Sequence, residues 1–315
     1  MNLAVVADEP TRTRRRVRPA DVVTVVVAAL LAGVMLGHRA LPGPAGSGLD
    51  SALPWLAVPI LVLFAAAILS RRPVPVAAAL TPVLVWTLMF GPDLTDRAAA
   101  GPHDLRVASL NLGAATVAGA LDPLVDAAPD LIVLQEITTT NRPAVTARLS
   151  DAYPFRANAG TVAVFSRLPL SDTEPVDIQI GWTRALRTTV ATPSGRVRVY
   201  AAHLASARAG RTAGRNRTLT ALADVVRADP APCLLLAGDL NTATTDRHFD
   251  VLAPLADTQE EAGAGFGFTW PARLPLVRPD HLLQRGMTTR RAWVIGAPGS
   301  DHRAVLADLD NNDQD

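Results

Sequence analysis

The chain has 315 residues, which is enough for two domains, and 49% of them are hydrophobic although only 4% are aromatic. The formal net charge is +1, and all 30 basic residues are arginines. A single cysteine, Cys233, excludes an internal disulfide framework.

Three apolar segments lie close together in the N-terminal third of the chain. Their cores, residues 22–37, 53–69 and 74–90, contain no charged side chain. Because a bilayer core needs roughly 20 apolar residues, we predict transmembrane helices at about 22–41, 53–70 and 74–91. The first segment also fits a signal peptide, but two further segments follow it directly. None shows the amphipathic stripe of a buried globular helix, so the membrane interpretation is favoured.

The arginines predict how these helices are oriented. Residues 1–21 are arginine-rich, and Arg71 and Arg72 separate the second and third segments. Since positive charge is retained in the cytoplasm, the N-terminus is expected there and the chain after the third helix outside the cell. Residues 92–104 are interpreted as a linker. The sequence therefore predicts a multi-pass protein of the cell membrane with an extracellular C-terminal domain.

Short strands and amphipathic helices begin at residue 105. Helices are expected at 121–128, after Thr138 or Thr139, and at 212–227. Strands are expected at 105–110, 131–135, 162–165, 176–180, 185–191, 197–201, 233–237, 281–284, 290–295 and 303–309. Runs of strands with few helices predict an α+β domain at 105–309, a four-layer α/β/β/α sandwich of two packed mixed sheets flanked by helices. Residues 310–315 are expected to be disordered.

Polar side chains stand at the ends of several of these strands. The apolar run 233–237 predicts a buried strand that leads to Asp239 and Asn241. Other strands end at Asn111, Glu136 and His203, and a last polar group at 299–302 precedes the final strand. Each alone fits an ordinary turn. Together, in one cleft, they would suit a divalent-metal phosphoesterase.

Eight short motifs resemble those of the endonuclease/exonuclease/phosphatase superfamily in order and spacing. They are Leu110-Asn111, Leu134-Gln-Glu136, Phe165-Ser-Arg167, Ala202-His-Leu204, Gly238-Asp-Leu-Asn241, Thr269-Trp270, Arg278-Pro-Asp280 and Ser300-Asp-His302. The resemblance covers about residues 105–309 and implies the sandwich fold. With three preceding membrane helices, the whole chain resembles the actinobacterial membrane proteins of the teicoplanin-resistance type, called VanJ.

The superfamily resemblance implies roles for these side chains. Glu136 would hold Mg²⁺ directly, with Asn111 and Asp301 completing the ligand shell. Asp239 would position or deprotonate the attacking water, and Asn241 would orient the water or the phosphate.

The resemblance also implies two histidines on the acid side of the reaction. His302, oriented by Asp280, would hydrogen-bond a phosphoryl oxygen or protonate the leaving group. His203 would assist on the leaving-group side. Some superfamily members carry a second acidic residue two positions after the first Asn, where this chain has Gly113. We therefore expect a single Mg²⁺, with Mn²⁺ as the alternative ion.

Charge bears on the substrate. After residue 101 the chain has 21 arginines against 23 acidic residues, a formal net charge of −2, which does not favour DNA. Four arginines just beyond His203 could grip a multiply charged phosphate, or could belong to a solvated loop and helix start. These candidate substrate-binding residues are Arg208, Arg211, Arg215 and Arg217.

Three functions remain open at this stage. The first is an outward-facing Mg²⁺-dependent phosphatase of a lipid pyrophosphate, for which the VanJ resemblance implies the undecaprenyl carrier of cell-wall precursors and glycopeptide resistance. The second is a membrane-tethered extracellular nuclease, which needs the same catalytic residues. The third is a non-catalytic module that binds lipid headgroups or a wall enzyme. Tethering favours a phosphorylated lipid partner over nucleic acid.

Overall fold

The structure is a computed structural model that describes residues 18–99, 101–113, 117–207 and 212–311. These residues form two compact units. The helical unit contains residues 18–36 and 55–87, and the second unit contains residues 37–54 and the described residues from 88 onward. The chain therefore passes from one unit to the other three times.

The helical unit is built from the apolar N-terminal segments. It contains α1 (Pro19–Gly37), α3 (Ala57–Leu69) and α4 (Pro73–Phe90), apart from the last residue of α1 and the last three of α4. Three helical stretches, Pro19–Ala40, Gly43–Leu69 and Pro73–Phe90, are long and apolar enough to cross a membrane. Asp21 and Arg72 form an ion pair within this unit.

The second unit contains two six-stranded sheets. The first has the order β11-β12-β1-β2-β4-β3, and the second has the order β5-β6-β7-β8-β10-β9. The strands are β1 (Leu105–Asn111), β2 (Leu131–Gln135), β3 (Phe155–Ala159), β4 (Val162–Ser166), β5 (Leu170–Pro175), β6 (Ala185–Thr192), β7 (Gly195–His203), β8 (Leu234–Asp239), β9 (Ala256–Asp257), β10 (Asp280–Arg285), β11 (Met287–Ile295) and β12 (Ala304–Asn311). Both sheets are mixed, because β1 and β2 are parallel, as are β7 and β8, among otherwise antiparallel neighbours.

Helices cover the outer faces of the two sheets. In β1, Leu105 and Val107 belong to the core between the sheets, whereas Ala108 and Leu110 face the core under the helices of the first sheet. The alternation follows from the two-residue period of a strand. The covering helices are α5 (Val117–Asp126) and α6 (Arg142–Leu149) on the first sheet and α7 (Ala213–Ala228) on the second. Two further helices of this unit are α2 (Gly43–Ala52) and α8 (Thr258–Ala262). The prediction of two packed mixed sheets flanked by helices is confirmed.

The strand prediction was wrong at 176–180 and did not include β3, β5 or β9. No strand spans 176–180, although Val176 and Ile178 are buried beneath α7. Their alternating burial resembles a strand, but Gln179 has φ +58°, and no strand forms although the Val176 N–H donates to the Ala185 carbonyl oxygen of β6 at 2.9 Å. The edge strands β3 and β5 escaped prediction because most of their side chains are exposed and lack an apolar face.

Candidate active site

The predicted site residues meet at one end of the two sheets. β1 and β2 are parallel with Asn111 opposite Gln135, so Asn111 and Glu136 leave the same sheet edge. β7 and β8 are also parallel, with His203 opposite Asp239. The polar residues at the ends of these strands therefore lie in a single cluster.

The remaining groups reach this edge from antiparallel neighbours. β10 runs antiparallel to β8 and begins at Asp280, which pairs with Asp239. β12 runs antiparallel to β1, which brings residues 300–302 to the end of β1. There the Ser300 hydroxyl donates to the Asn111 carbonyl oxygen at 2.7 Å.

Asp239 lies at the centre of the cluster and is 2% exposed. Its Oδ2 accepts a hydrogen bond from Asn111 Nδ2 at 2.9 Å and lies 3.5 Å from His203 Nε2. Its Oδ1 accepts from the backbone N–H of Asn241, which adopts φ +49°. Burial, followed by the negative charge of Asp280, raises the pKa of Asp239. A carboxylate with a raised pKa is suited to accept a proton from water.

Asp280 and His302 form a buried pair. Asp280 Oδ2 lies 2.8 Å from His302 Nδ1 and accepts from the Thr269 hydroxyl at 2.5 Å. Nδ1 therefore carries a proton, and Nε2 lies 4.0 Å from Asp239 Oδ2. Burial alone would lower the pKa of His302, but Asp280, with help from Asp239 and Asp301, raises it to about 9. His302 is thus a cation at neutral pH and can donate from Nε2.

His203 has the opposite electrostatic character. Its Nε2 lies 3.5 Å from Asp239 Oδ2 and 3.9 Å from Glu136 Oε1. Burial, followed by the positive charges of Arg184 and His302, lowers the pKa of His203 to about 3. The imidazole is therefore neutral at physiological pH and can donate one hydrogen bond.

The three predicted metal ligands lie beside these groups. Asn111 Nδ2 is 3.5 Å from Glu136 Oε1. Glu136 has φ +60°, a conformation that residues other than glycine rarely adopt and that concentrates at functional sites. Gly113 has φ +55°, and a Cβ at this position would collide with the Asp301 carboxylate. The glycine thus allows Asp301 to approach the chain that follows β1.

A hard divalent cation fits this donor set. Carboxylate and amide oxygens are the ligands that Mg²⁺ and similar ions prefer. For the Asn111 oxygen to face an ion, its amide must turn over, because Oδ1 now accepts from the Gly113 N–H at 3.0 Å. Ligand atoms of Asp239, Asp280 and His302 also lie within 4.8 Å of one another and could hold an ion. The structure therefore contains two candidate ligand sets that share no residue but lie side by side, with Asn111 Nδ2 2.9 Å from Asp239 Oδ2.

The four predicted substrate-binding arginines do not form one group in the described part of the chain. Arg208 and Arg211 lie outside the described residues. Arg215 is 1% exposed, and its Nη2 pairs with Asp246 Oδ2 at 2.7 Å. Arg217 lies on the exposed side of α7. Of the two described arginines, Arg215 forms a buried ion pair and Arg217 is exposed on the side of α7 away from the core.

Arg184 is a charged residue near the site that the sequence analysis missed. It is 8% exposed, and its guanidinium stacks on Trp182 at 5.0 Å from the ring centre. Burial lowers its pKa, while Asp239 and Glu136 oppose that change. Within the described residues its Nε has no hydrogen-bond partner. Arg184 lies at the start of β6, so no strand-end signal could have identified it.

The cluster opens into a cavity of about 320 Å³. Trp270, part of the Thr269-Trp270 motif, lines this cavity and donates from Nε1 to Asp301 Oδ2 at 3.3 Å. Ser51 of α2 also lines it. The sequence analysis did not predict that the chain between the first two apolar helices approaches the site.

The sandwich and its cleft define the fold of a phosphoesterase with a candidate divalent-metal site. Residues 108–302 match the profile of the Endonuclease/Exonuclease/phosphatase family, and the chain belongs to this family. The members of this family are metal-dependent phosphoesterases or nucleases. No curated protein matches the chain.

Solved structures of the same fold are similar at low sequence identity. D. rerio TDP2 complexed with single-strand DNA product has 18% identity over 65% of this chain and 98% of that chain, with a TM-score of 0.57. An endonuclease/exonuclease/phosphatase from Bacteroides vulgatus has 14% identity over 67% of this chain and 100% of that chain, with a TM-score of 0.56. Truncated Caenorhabditis elegans TDP2 has 19% identity over 65% of this chain and 96% of that chain, with a TM-score of 0.55. At these identities the similarity concerns the fold alone.

Proposed function

We propose that this protein is a membrane-anchored, Mg²⁺-dependent phosphoesterase that hydrolyses a lipid pyrophosphate outside the cell. The substrate would be undecaprenyl pyrophosphate, and the products its monophosphate and inorganic phosphate. The observation that carries the proposal is the presence, in one chain, of the acid–base cleft and three helices able to cross a membrane. A membrane-tethered site meets lipid headgroups at high effective concentration, an advantage that a nuclease would not share.

Charge and architecture support the same substrate class. The sequence after residue 101 has a formal net charge of −2, whereas binding to DNA draws most of its affinity from cationic contacts to phosphates. The arginines before the first helix and between the second and third keep those ends in the cytoplasm, so the catalytic domain lies outside. The whole-chain resemblance to VanJ proteins implies the undecaprenyl carrier and a role in glycopeptide resistance.

Asp239 and His302 would carry the proton transfers. Asp239 Oδ2 takes a proton from water as the water oxygen attacks the terminal phosphorus. The bond from that phosphorus to the bridging oxygen breaks, and His302 donates its Nε2 proton to the departing lipid monophosphate. Asp280 holds the imidazolium, and Asn241 orients the water or the phosphate. One water is consumed, and inorganic phosphate is released.

The remaining groups would stabilise charge. Glu136, Asn111 and Asp301 would hold Mg²⁺, which when bound neutralises charge that develops on phosphoryl oxygens. His203, neutral at physiological pH, donates a hydrogen bond from Nε2 toward the reacting group. Arg184, buried and close to this cluster, adds positive charge that complements the phosphate.

Phosphate release by the purified full-length protein in detergent with Mg²⁺ tests the proposal. Undecaprenyl pyrophosphate, sphingomyelin and plasmid DNA are offered in parallel to the wild type, Asp239→Ala and the control Asp224→Ala. Asp224 is exposed on α7, so its variant should match the wild type. We expect the wild type to release phosphate from undecaprenyl pyrophosphate and Asp239→Ala to release none. Cleavage of DNA without phosphate release from the lipid would refute the proposal.

A tethered nuclease is the second candidate, because the fold resembles TDP2 determined with a single-strand DNA product. DNA cleavage by the wild type that Asp239→Ala abolishes would establish it. A non-catalytic binding module is disfavoured, since such a module needs neither a buried carboxylate nor an imidazolium at its site. An unchanged cellular phenotype in Glu136→Ala would favour that third function.

A further inference from the structure

Helix α2, which lies between the first two apolar segments, is fastened to the catalytic unit. Asp50 of α2 is fully buried, and Arg247 donates to both of its carboxylate oxygens, from Nε at 2.8 Å and from Nη2 at 3.0 Å. The backbone N–H of Arg247 donates to Asp50 as well, at 3.1 Å. A buried bidentate pair of this kind fixes both distance and angle.

Further bonds extend this attachment over the whole segment before α2. Arg247 donates to the carbonyl oxygens of His38, Arg39 and Leu41 at 2.9, 3.0 and 2.5 Å. His38 Nδ1 lies 2.6 Å from Asp50 Oδ1. A Cβ at Gly46 would collide with the Arg247 guanidinium, so the glycine allows the close packing. Residues 38–50 are therefore held as a structural part of the catalytic unit.

The length of the second apolar stretch is consistent with this assignment. Gly43–Leu69 has 27 residues, whereas a bilayer core needs roughly 20. The boundary between the two units falls between Pro54 and Trp55. The ten residues of α2 can thus belong to the catalytic unit while the remaining helix retains nearly the length of a span.

The attachment places α2 at the active site. Arg247 follows the candidate catalytic residue Asn241 by six positions, so α2 packs on the loop that leaves β8. Ser51 lines the active-site cavity together with Asn241. Ser51 and Asn241 also line an adjoining cavity of about 180 Å³ that reaches Ser47. The two cavities share Ser51 of α2 and Asn241 and Ala243 of the loop after β8, so they adjoin, and together they are called the groove below.

The adjoining cavity is narrow and offers no unpaired charge among its described lining residues. Its two charged side chains, Arg215 and Asp246, pair with each other at 2.7 Å. Pockets that enclose drug-sized ligands measure roughly 300–1,000 Å³, so about 180 Å³ admits a slim segment and no nucleotide duplex. Among the described residues this continuation beside the proposed phosphate site is narrow and presents no unpaired charge, which suits the start of a lipid chain.

We propose that α2 forms one side of the substrate groove, with Ser51 touching the part of a lipid pyrophosphate next to its phosphates. Asp50 and Arg247 are positioning residues that hold α2 in place. This inference rests on the proposed function and assigns substrate selection to a segment between two membrane helices. The reacting phosphate depends on the residues at the strand ends, whereas the lipid depends on α2.

Two pyrophosphate substrates distinguish the contribution of the strand-end residues from that of α2. Both are tested with the full-length protein in detergent with Mg²⁺. Farnesyl pyrophosphate carries a lipid chain, and inorganic pyrophosphate carries none. Ser51→Trp fills the groove, and Ser150→Trp is a matched control. Both serines donate to the carbonyl four residues earlier in their helices, but Ser150 is exposed on α6. Ser51→Trp should raise KM for farnesyl pyrophosphate at least about tenfold, and this rise should exceed the rise for inorganic pyrophosphate by about threefold or more.

Arg247→Lys tests the positioning pair. It keeps the charge but loses the bidentate geometry, so KM for farnesyl pyrophosphate should rise while kcat for inorganic pyrophosphate is retained. Arg227→Lys, in an exposed ion pair with Asp224, is the control. Equal KM values for Ser51→Trp and Ser150→Trp on farnesyl pyrophosphate would overturn the inference and leave the proposed function intact. Failure of the wild type to hydrolyse either pyrophosphate would overturn both.

Discussion

Replacement of Asp257 by Asn should destabilise the catalytic unit strongly. Asp257 is 6% exposed and accepts hydrogen bonds from Arg278 Nη1 at 2.7 and 2.8 Å. It also accepts from the Gln259 N–H at 2.9 Å and lies 3.2 Å from His281 Nδ1. Asn preserves the shape but leaves the buried Arg278 with the more distant and half-exposed Glu260 carboxylate, 3.9 Å from its Nη2, in place of its buried partner. The loss of one partner from a buried pair costs about 3–5 kcal/mol.

Thermal unfolding of the full-length protein in detergent, followed by tryptophan fluorescence, measures this cost. For a domain of about 200 residues each kcal/mol shifts Tm by about 2–4 °C, so Tm should fall by roughly 6–20 °C. The control is Asp224→Asn, whose exposed pair with Arg227 should contribute less than about 1 kcal/mol. Equal Tm values for Asp257→Asn and Asp224→Asn would refute the reasoning.

The pH dependence supplies a second check on the same residue. Burial alone would raise the pKa of Asp257, but Arg278 and His281 lower it well below its usual range. A lowered pKa contributes stability that is present above the ordinary carboxyl value of about 3.9 and is lost as pH falls through the folded value. The Tm difference between wild type and Asp257→Asn should therefore be largest near neutral pH and shrink below about pH 4.

This network also reaches the active site. His281 Nε2 lies 2.7 Å from the carbonyl oxygen of Thr242, which follows Asn241 and lines the cavity. Asp257→Asn should therefore lower kcat even at temperatures where the variant is folded.

Three further substitutions test the proposed metal ligands and the buried pair of Asp280 and His302. Glu136→Gln should weaken Mg²⁺ binding about tenfold or more, because an amide replaces the anionic ligand, and calorimetry that finds unchanged affinity would contradict the assignment. Gly113→Ala places a Cβ against the Asp301 carboxylate at φ +55°, so Mg²⁺ affinity should fall without loss of secondary structure by circular dichroism. Asp280→Asn removes the main cause of the raised pKa of His302, so the alkaline limb of the activity profile, which marks the loss of the His302 proton, should move to lower pH. An unmoved limb would show that His302 is not the acid.

The sequence predicted much of this site because buried strands that end in polar residues can be recognised from the sequence. Apolar runs ended at Asn111, Glu136, His203 and Asp239, and parallel pairing placed each pair at the same sheet edge. The edge strands β3 and β5 were not predictable in the same way, since their exposed side chains lack a periodic apolar signal.

Long-range contacts explain what the sequence could not indicate. Asp50 and Arg247 are 197 positions apart, and neither belongs to a local pattern that suggests pairing. Arg184 lies near Asp239 and Glu136 because it directly precedes β6, which pairs with β7 beside His203. Ser51 likewise enters the site through the attachment of α2. Such contacts follow from tertiary structure and have no local signature.

Isotope transfer from water tests the central claim most directly. Undecaprenyl pyrophosphate is incubated with the full-length protein and Mg²⁺ in ¹⁸O-labelled water, and the products are analysed by mass spectrometry, with Asp239→Asn as the control. The account predicts one ¹⁸O in the released inorganic phosphate, none in the lipid monophosphate, and no release with Asp239→Asn. Label in the lipid monophosphate, or phosphate release that persists in Asp239→Asn, would contradict it.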